Sequence, residues 1–245
     1  MSWYRSFFDE DYLRVFGPYV EGERAHSEAD RVLELLTLPP GSLVLDLACG
    51  QGRHAAPLRR AGLDVVGLDL SDVLLQAARG RDTDLPLMRA DMRSLPLADD
   101  CVDGVVNLFN AFGYFDHDEE DLGVLREVAR VLRPGGTFVQ EVHHRDALVH
   151  GWEPQTTHPT YADGLVVTEE RIWDSVRGRH QVTYQLQSPD GDVRRVEHAL
   201  RVYTLTELVA LHEQAGLQVQ SVHGDLTGSI ASPRTPLGVL VSRLS

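Results

Sequence analysis

Val44-Leu45-Asp46-Leu47-Ala48-Cys49-Gly50-Gln51-Gly52-Arg53-His54 is the stretch on which the fold turns. With Leu43 it opens as a short apolar run, breaks at two glycines, and passes into an amphipathic stretch that reaches Arg60. A buried run, a glycine turn and a helix in that order read as the first strand–turn–helix unit of a parallel sheet. Glycine lets the main chain approach a ligand closely, and the start of the following helix presents N–H groups that have no intrahelical partner.

The same alternation continues downstream. Gly62 is a C-cap for the first helix, Asp64–Asp69 a second strand, and Ser71–Arg79 a second helix with Ser71 as its N-cap. Pro86–Asp91, Val102–Phe109 and Thr137–Val142 read as further strands, and Leu122–Leu132 as a helix stopped by Arg133-Pro134-Gly135-Gly136. Continuous apolar strands alternating with helices imply a parallel sheet covered on both faces. Beyond residue 150 the period shortens. Leu165–Val167, Arg171–Trp173, Val182–Leu186 and Val193–Val202 have strand character, with turns at Ala162-Asp163-Gly164, Arg177-Gly178 and Pro189-Asp190-Gly191. Thr204 with Glu207 forms a capping box ahead of a helix to Gly216, and Leu217–Val222 and Leu237–Leu244 supply two last strands. Before the sheet, Phe7, Phe8, Leu13, Phe16 and Tyr19 recur at roughly helical spacing up to the Gly17-Pro18 break, and His26–Leu36 forms a second helical stretch. The chain therefore divides into a helical cap (1–38), a core (39–149), an antiparallel β insert (150–203) and a closing segment (204–245).

The chain has 245 residues, with 37 acidic against 23 basic side chains and a net charge of -14. Such a surface repels phosphate backbones and anionic lipid, which argues against nucleic acid or membrane as the main partner. Lysine is absent altogether, which excludes a Schiff-base or Walker-type lysine. Cys49 and Cys101 imply no disulfide framework. The acidic, aromatic N-terminus is unlike a signal peptide, and the expectation is a cytoplasmic protein.

The candidate chemistry gathers at strand ends. Gly50-x-Gly52-x-x-Ala55, with Asp69 about 20 residues beyond, also fits the dinucleotide pattern, which keeps a nicotinamide-dependent oxidoreductase open. Asp46 points elsewhere: a carboxylate inside the first strand suits a ligand ammonium and is unwelcome beside a pyrophosphate. Asp91 and Met92 suit an adenine edge and face. With these features the chain resembles the class I S-adenosylmethionine-dependent methyltransferases, in VLDLACGQGRH (44–54), VVGLDLS (65–71), RADMRSLPL (89–97), VVNLFNAFGYF (105–115) and LRPGGTF (132–138). Looser similarity through EERIWD (169–174) and RVYTLTEL (201–208) extends to bacterial small-molecule members with an inserted β-meander.

That resemblance implies a doubly wound, seven-stranded Rossmann-like α/β sheet with its last strand antiparallel, and S-adenosyl-L-methionine as cofactor. It places Asp46, Ala48, Gly50 and Gly52 around the methionine moiety, Asp69 on the ribose hydroxyls, Leu70 against the adenine, Asp91 on its amino group with Met92 beside it, and Asn107–Leu108 near the sulfur. Gln51 departs from the small or acidic residue common there and contacts through its backbone; His54 is a candidate for the methionine carboxylate. The acceptor is a small molecule with a nitrogen, oxygen or carbon nucleophile. The proton acceptors, in order, are His144, Tyr114 and His143, because imidazole titrates near neutrality; Asn110 is a candidate for orienting the acceptor. Consecutive positions put His143 and His144 on opposite faces of a strand, so no joint metal site is expected. Cys49 reads as packing, Asp116 and Asp118–Asp121 as a solvated helix start, and Trp3, Tyr4, Phe8, Tyr12 and Tyr19 as a lid. A non-catalytic S-adenosylmethionine sensor using the meander as a partner surface is a further alternative, as is a monomer or a homodimer formed through exposed meander edges.

Overall fold

The first strand, β1 (Leu43–Leu47), is buried from Val44 onward; apolar on both faces, it can lie only inside a sheet covered on both sides. In the computed structural model, which describes residues 2–17, 23–158, 161 and 163–245, with the side chains of 23–26 left out, β1 pairs in parallel with β2 (Asp64–Asp69) and β4 (Val102–Asn107). Outward from these lie β3 (Leu87–Arg89), parallel to β2, and β5 (Leu132–His143), parallel to β4. The last strand, β11 (Leu237–Leu244), runs antiparallel to β5 and to β10 (Leu217–His223). The resulting sheet has the order β10-β11-β5-β4-β1-β2-β3. Pro18, Tyr19 and Ala162 lie outside the described residues.

Helices cover both faces. On one, α3 (Glu23–Leu36) and α4 (Ala55–Arg60) bring Val32, Leu36, Ala55 and Leu58 against Val44, Val65, Val106 and Val139. On the other, α6 (Asp118–Val131) and α8 (Leu205–Gln214) pack Val124, Leu125, Val128 and Leu208 on Leu45, Val105 and Phe138. The link from β2 runs through α5 (Asp72–Arg81), capped by the Ser71 hydroxyl, which accepts from the Leu74 N–H at 3.2 Å. The Thr204–Glu207 capping box is present at α8. The short α7 (Arg145–His150) leads into a separate antiparallel sheet of β6 (Gln155–Thr157), β7 (Val166–Asp174), β8 (Arg179–Gln187) and β9 (Val193–Arg201). Two N-terminal helices, α1 (Tyr4–Phe7) and α2 (Glu10–Phe16), dock onto that sheet through Phe7 and Val15 against Val167, Val182, Tyr184 and Leu186.

Several boundaries differ from the sequence reading. The fourth strand stops at Asn107 because Phe109 and Asn110 both adopt left-handed backbone conformations (φ 58° and 59°), which turn the chain out of the sheet. The fifth begins at Leu132, five residues early, and its register against β4 shifts past Val102. Leu165–Val167 and Arg171–Trp173 belong to one strand but for Leu165. Asp121 is the exception among the helix-start acids: it is fully buried and accepts a hydrogen bond from the Tyr203 hydroxyl at 2.7 Å.

Candidate active site

An open cleft lies at the carboxyl ends of the central strands, where a parallel α/β sheet places its ligands. Its floor is the turn after β1. Ala48, Gly50 and Gly52 take left-handed φ values of 58°, 54° and 70°, which fold the chain tightly below the cleft, with the Gly52 N–H donating to the Cys49 carbonyl at 2.9 Å. A Cβ on Gly52 would stand 3.2 Å from the Ala78 Cβ and 3.3 Å from a Leu85 methyl, so these close contacts and the left-handed backbone both favour glycine there. The Gly50 N–H donates to one Asp69 oxygen at 2.8 Å and the Ser71 N–H to the other at 2.8 Å. Burial nonetheless raises the Asp69 carboxyl above its ordinary range.

Asp46 is 2% exposed, and its Oδ2 has no hydrogen-bond partner. Burial pushes its pKa up to about 7, offset in part by the nearby positive charge of Arg53. Leaving a buried carboxylate oxygen unpaired is costly, and a ligand ammonium is the group that would satisfy it. Next to it, Arg53 donates to Glu28 at 2.6 Å with both side chains buried. One guanidinium nitrogen, Nη2, remains without a partner. His54 lies 3.1 Å from the same Glu28 oxygen. An orphaned carboxylate oxygen and an orphaned guanidinium nitrogen on one cleft wall fit the ammonium and carboxylate of an amino acid.

At the other end, Asp91, Met92, Leu70 and Ala90 line the wall. Arg93 grips both Asp91 oxygens, at 2.6 and 3.0 Å, and that pairing holds the carboxyl low. Aromatic rings form the roof: Tyr4, Phe8, Tyr12, Phe109 and Tyr114 all face the cleft. Phe8 stands 5.0 Å from Tyr12 and 5.6 Å from Tyr114, centroid to centroid, and the Ser71 hydroxyl donates to the Phe8 carbonyl at 2.6 Å, tying the cap across the mouth.

The cleft thus brings together Asp46, Ala48, Gly50, Gln51, His54, Asp69, Leu70, Asp91, Met92, Leu108 and Tyr114. Gly52 lies just behind the wall. Asn107 is not on it: its amide nitrogen donates to the Leu47 and Ala111 carbonyls at 3.0 and 3.1 Å, so it braces the loop instead. Nor is His144, whose buried ring sits against the Thr235 carbonyl (3.3 Å) and near Asp146 (3.6 Å), at the start of α7. His143 lies toward the β insert, its N–H bound to the Asn110 side chain at 2.8 Å; burial lowers its pKa to about 4. Tyr114 does face the cleft, but burial raises its phenol well above 10. Cys49 is buried with its thiol pushed up, an inert packing residue. Arg53 and Glu28 escape sequence reading because the pair is 25 residues apart; the one local signal is a charged residue immediately after the last glycine of the turn.

A methyltransferase-domain family model matches residues 45–140. The dTDP-3-amino-3,4,6-trideoxy-alpha-D-glucopyranose N,N-dimethyltransferase of Streptomyces venezuelae is 30% identical over 240 residues, covering 90% of this chain and 96% of the relative. The dTDP-4-amino-2,3,4,6-tetradeoxy-D-glucose N,N-dimethyltransferase of Saccharopolyspora spinosa is 29% identical, covering 82% of each. Among solved structures, the CcbJ methyltransferase of Streptomyces caelestis superposes with a TM-score of 0.85 over 98% of this chain and 99% of that one, at 21% identity, a likeness of fold. The chain belongs to the class I S-adenosylmethionine-dependent methyltransferases, in the small-molecule branch that carries an inserted β-sheet. It is an enzyme that uses S-adenosylmethionine, and the nicotinamide and non-catalytic readings give way. Among the described residues, no helix is long and apolar enough to cross a membrane, and no three His, Cys, Asp or Glu side chains are placed to hold a metal ion.

Proposed function

We propose that this methyltransferase acts on the amino group of a small hydroxylated molecule of the amino-sugar class. The observation that carries this reading is the full-length similarity to a sugar N,N-dimethyltransferase, and the cleft is consistent with it. A neutral amine attacks with its own lone pair and needs no proton acceptor in the transfer step. An alcohol does need one, and the phenol of Tyr114, raised far above neutrality, is poorly suited to the task.

When bound, S-adenosylmethionine supplies a methyl group already activated on a positively charged sulfur. The chain's own residues then bind and align. Asp46 meets the ammonium and Arg53, braced by Glu28 and His54, the carboxylate; the backbone of Gly50, Gln51 and Gly52 follows the methionine moiety. Asp69 accepts the ribose hydroxyls, Leu70 and Met92 pack on the adenine, and Asp91 accepts its amino group. Leu108 borders the sulfur, and the roof rings attract the sulfonium and exclude water. Such alignment of two reactants is worth roughly 7–11 kcal/mol of barrier. The net charge of -14 argues against nucleic acid or anionic membrane as the main partner, and the reading is completed by a cytoplasmic location and a monomer or homodimer.

The test is mass spectrometry of amino sugars incubated with the protein and a donor carrying a deuterated methyl group. Label on nitrogen is the expected result. Label on oxygen or carbon alone would overturn the amine assignment.

A further inference from the structure

The β insert has a face that its size and packing do not explain. Across β7, β8 and β9 the register sets Val167 opposite Leu186, Glu169 opposite Tyr184, Arg171 opposite Val182, Trp173 opposite His180, and Val182 opposite His198. Alternation puts all of these on one side of the sheet. One half of that side is the apolar bed on which the cap docks. The other half is polar, yet much of it is withdrawn from water: Glu169 is 6% and His180 9% exposed.

Glu169 and Arg171 satisfy each other and their neighbours: Glu169 pairs with Arg171 and His158, and Arg171 also donates to the Thr156 hydroxyl at 2.7 Å. The imidazoles are different. Both ring nitrogens of His180 and the Nε2 of His198 are buried without a partner. Each such atom costs about 1–3 kcal/mol, and a phenylalanine at either position would avoid that cost. His143 comes to the neighbourhood from the end of β5, its own ring donating to the Pro236 carbonyl; burial above all, with repulsion from the neighbouring rings and Arg171, holds His180 at about 4 and His198 at about 3. All three rings are therefore neutral at physiological pH; His180 can offer one acceptor and one donor nitrogen, and His198 its Nε2.

The cluster is linked to the cleft. Trp152 stands 5.5 Å from His180, His180 6.2 Å from His198, His198 5.6 Å from Trp3, and Trp3 5.1 Å from Tyr114, which lines the cofactor cleft. From the other side, the backbone N–H of His143 donates to the Asn110 side-chain oxygen, next to the cleft-lining Phe109.

We propose that His180 and His198, beside His143, flanked by Trp152 and covered on the cleft side by Trp3, form the acceptor subsite and hold a hydroxylated amine through hydrogen bonds between its O–H groups and the open ring nitrogens of His180 and His198. This rests on the amine reading given above and adds the side chains that select the acceptor. The rings bind hydroxyls by shape and hydrogen bonding, not by charge, and Trp3, which fills the gap between His198 and Tyr114, is displaced when the acceptor enters.

The experiment uses the full-length chain, its His180→Leu and His198→Leu variants, and two amines of similar ring size, 3-amino-3-deoxyglucose and cyclohexylamine. Methyl transfer to each is followed kinetically, and S-adenosylhomocysteine binding calorimetrically. The amino-sugar KM is expected to rise about tenfold, as the loss of one or two hydrogen bonds predicts, with S-adenosylhomocysteine affinity and the response to cyclohexylamine unchanged. His180→Gln and His198→Gln, which keep a polar atom, should recover part of the loss and serve where a leucine variant does not fold. An amino-sugar KM unmoved by the variants, or an equal loss for cyclohexylamine, overturns the subsite. Wild-type protein that binds S-adenosylhomocysteine but methylates neither amine also overturns it and leaves the cofactor site standing; failure to bind S-adenosylhomocysteine at all would strike the cofactor site itself.

Discussion

Arg53 and Glu28 form a buried ion pair at 2.6 Å that joins the helix before the sheet to the glycine turn inside it. Glu28 fixes the guanidinium, and Arg53 Nη2, which has no partner, is the nitrogen proposed above to meet the methionine carboxylate. The guanidinium carbon also lies 4.7 Å from the centre of the Phe109 ring, which limits its swing.

Arg53→Met should therefore do two separable things. It takes from the buried Glu28 carboxylate its charged partner and leaves His54 beside it, with a stability loss of up to about 3 kcal/mol, and it removes the proposed charged hydrogen bond to the methionine carboxylate, about 1.5–3 kcal/mol of affinity. The double variant Arg53→Met, Glu28→Met should recover most of the thermal stability and none of the S-adenosylhomocysteine affinity. Denaturation and calorimetry on the same samples check both.

Asp46 makes binding and stability respond to pH in opposite senses. Between its ordinary value of 3.8 and about 7 the folded, ligand-free protein keeps the Asp46 proton that the unfolded chain has lost. Stability of the apo protein consequently falls as pH rises through that window, by at most about 4 kcal/mol, and levels off above it. Asp46→Asn should remove this share of the slope, while Asp121, also raised to about 7, retains its own. Over the same window S-adenosylhomocysteine should bind more tightly as pH rises, and the asparagine variant should flatten that rise.

Gly52→Ala tests the turn without touching a polar group. The left-handed backbone and the two close contacts behind it predict a loss of about 1–3 kcal/mol, seen as a lowered Tm. A glycine that merely filled a loop would show no change.

Tyr114→Phe and His144→Ala address the proton. With an amine acceptor neither side chain accepts one, so Tyr114→Phe should keep kcat within about threefold, a barrier change under 1 kcal/mol. His144→Ala should leave both KM values unmoved. A steep loss of kcat in Tyr114→Phe that is relieved at high pH would make the phenol a base.

The core is legible in the sequence because its signals are local. β1 and β2 are largely apolar, Ser71 and Thr204 cap the helices that follow them, and the glycine turn is written in consecutive residues. What is hidden depends on distance or on the absence of periodicity. β6 has only three residues and α7 six, too few for either period to show. The left-handed pair Phe109–Asn110 gives no glycine to mark it. Asp121 looks like one more helix-start acid until Tyr203, far along the chain, is seen to cover it. The site divides in the same way: Asp46, Asp69 and Asp91 sit at strand ends that the pattern reveals, whereas Arg53 acquires its meaning from Glu28, and His180 and His198 from a sheet register that alternation alone does not orient.

The most direct measurement is calorimetric titration of the purified protein with S-adenosylhomocysteine and, separately, with NADH. One S-adenosylhomocysteine site per chain is predicted, weakened about tenfold or more by Asp69→Ala through lost charged hydrogen bonds, with no heat from NADH. Heat from NADH and none from S-adenosylhomocysteine would contradict the account.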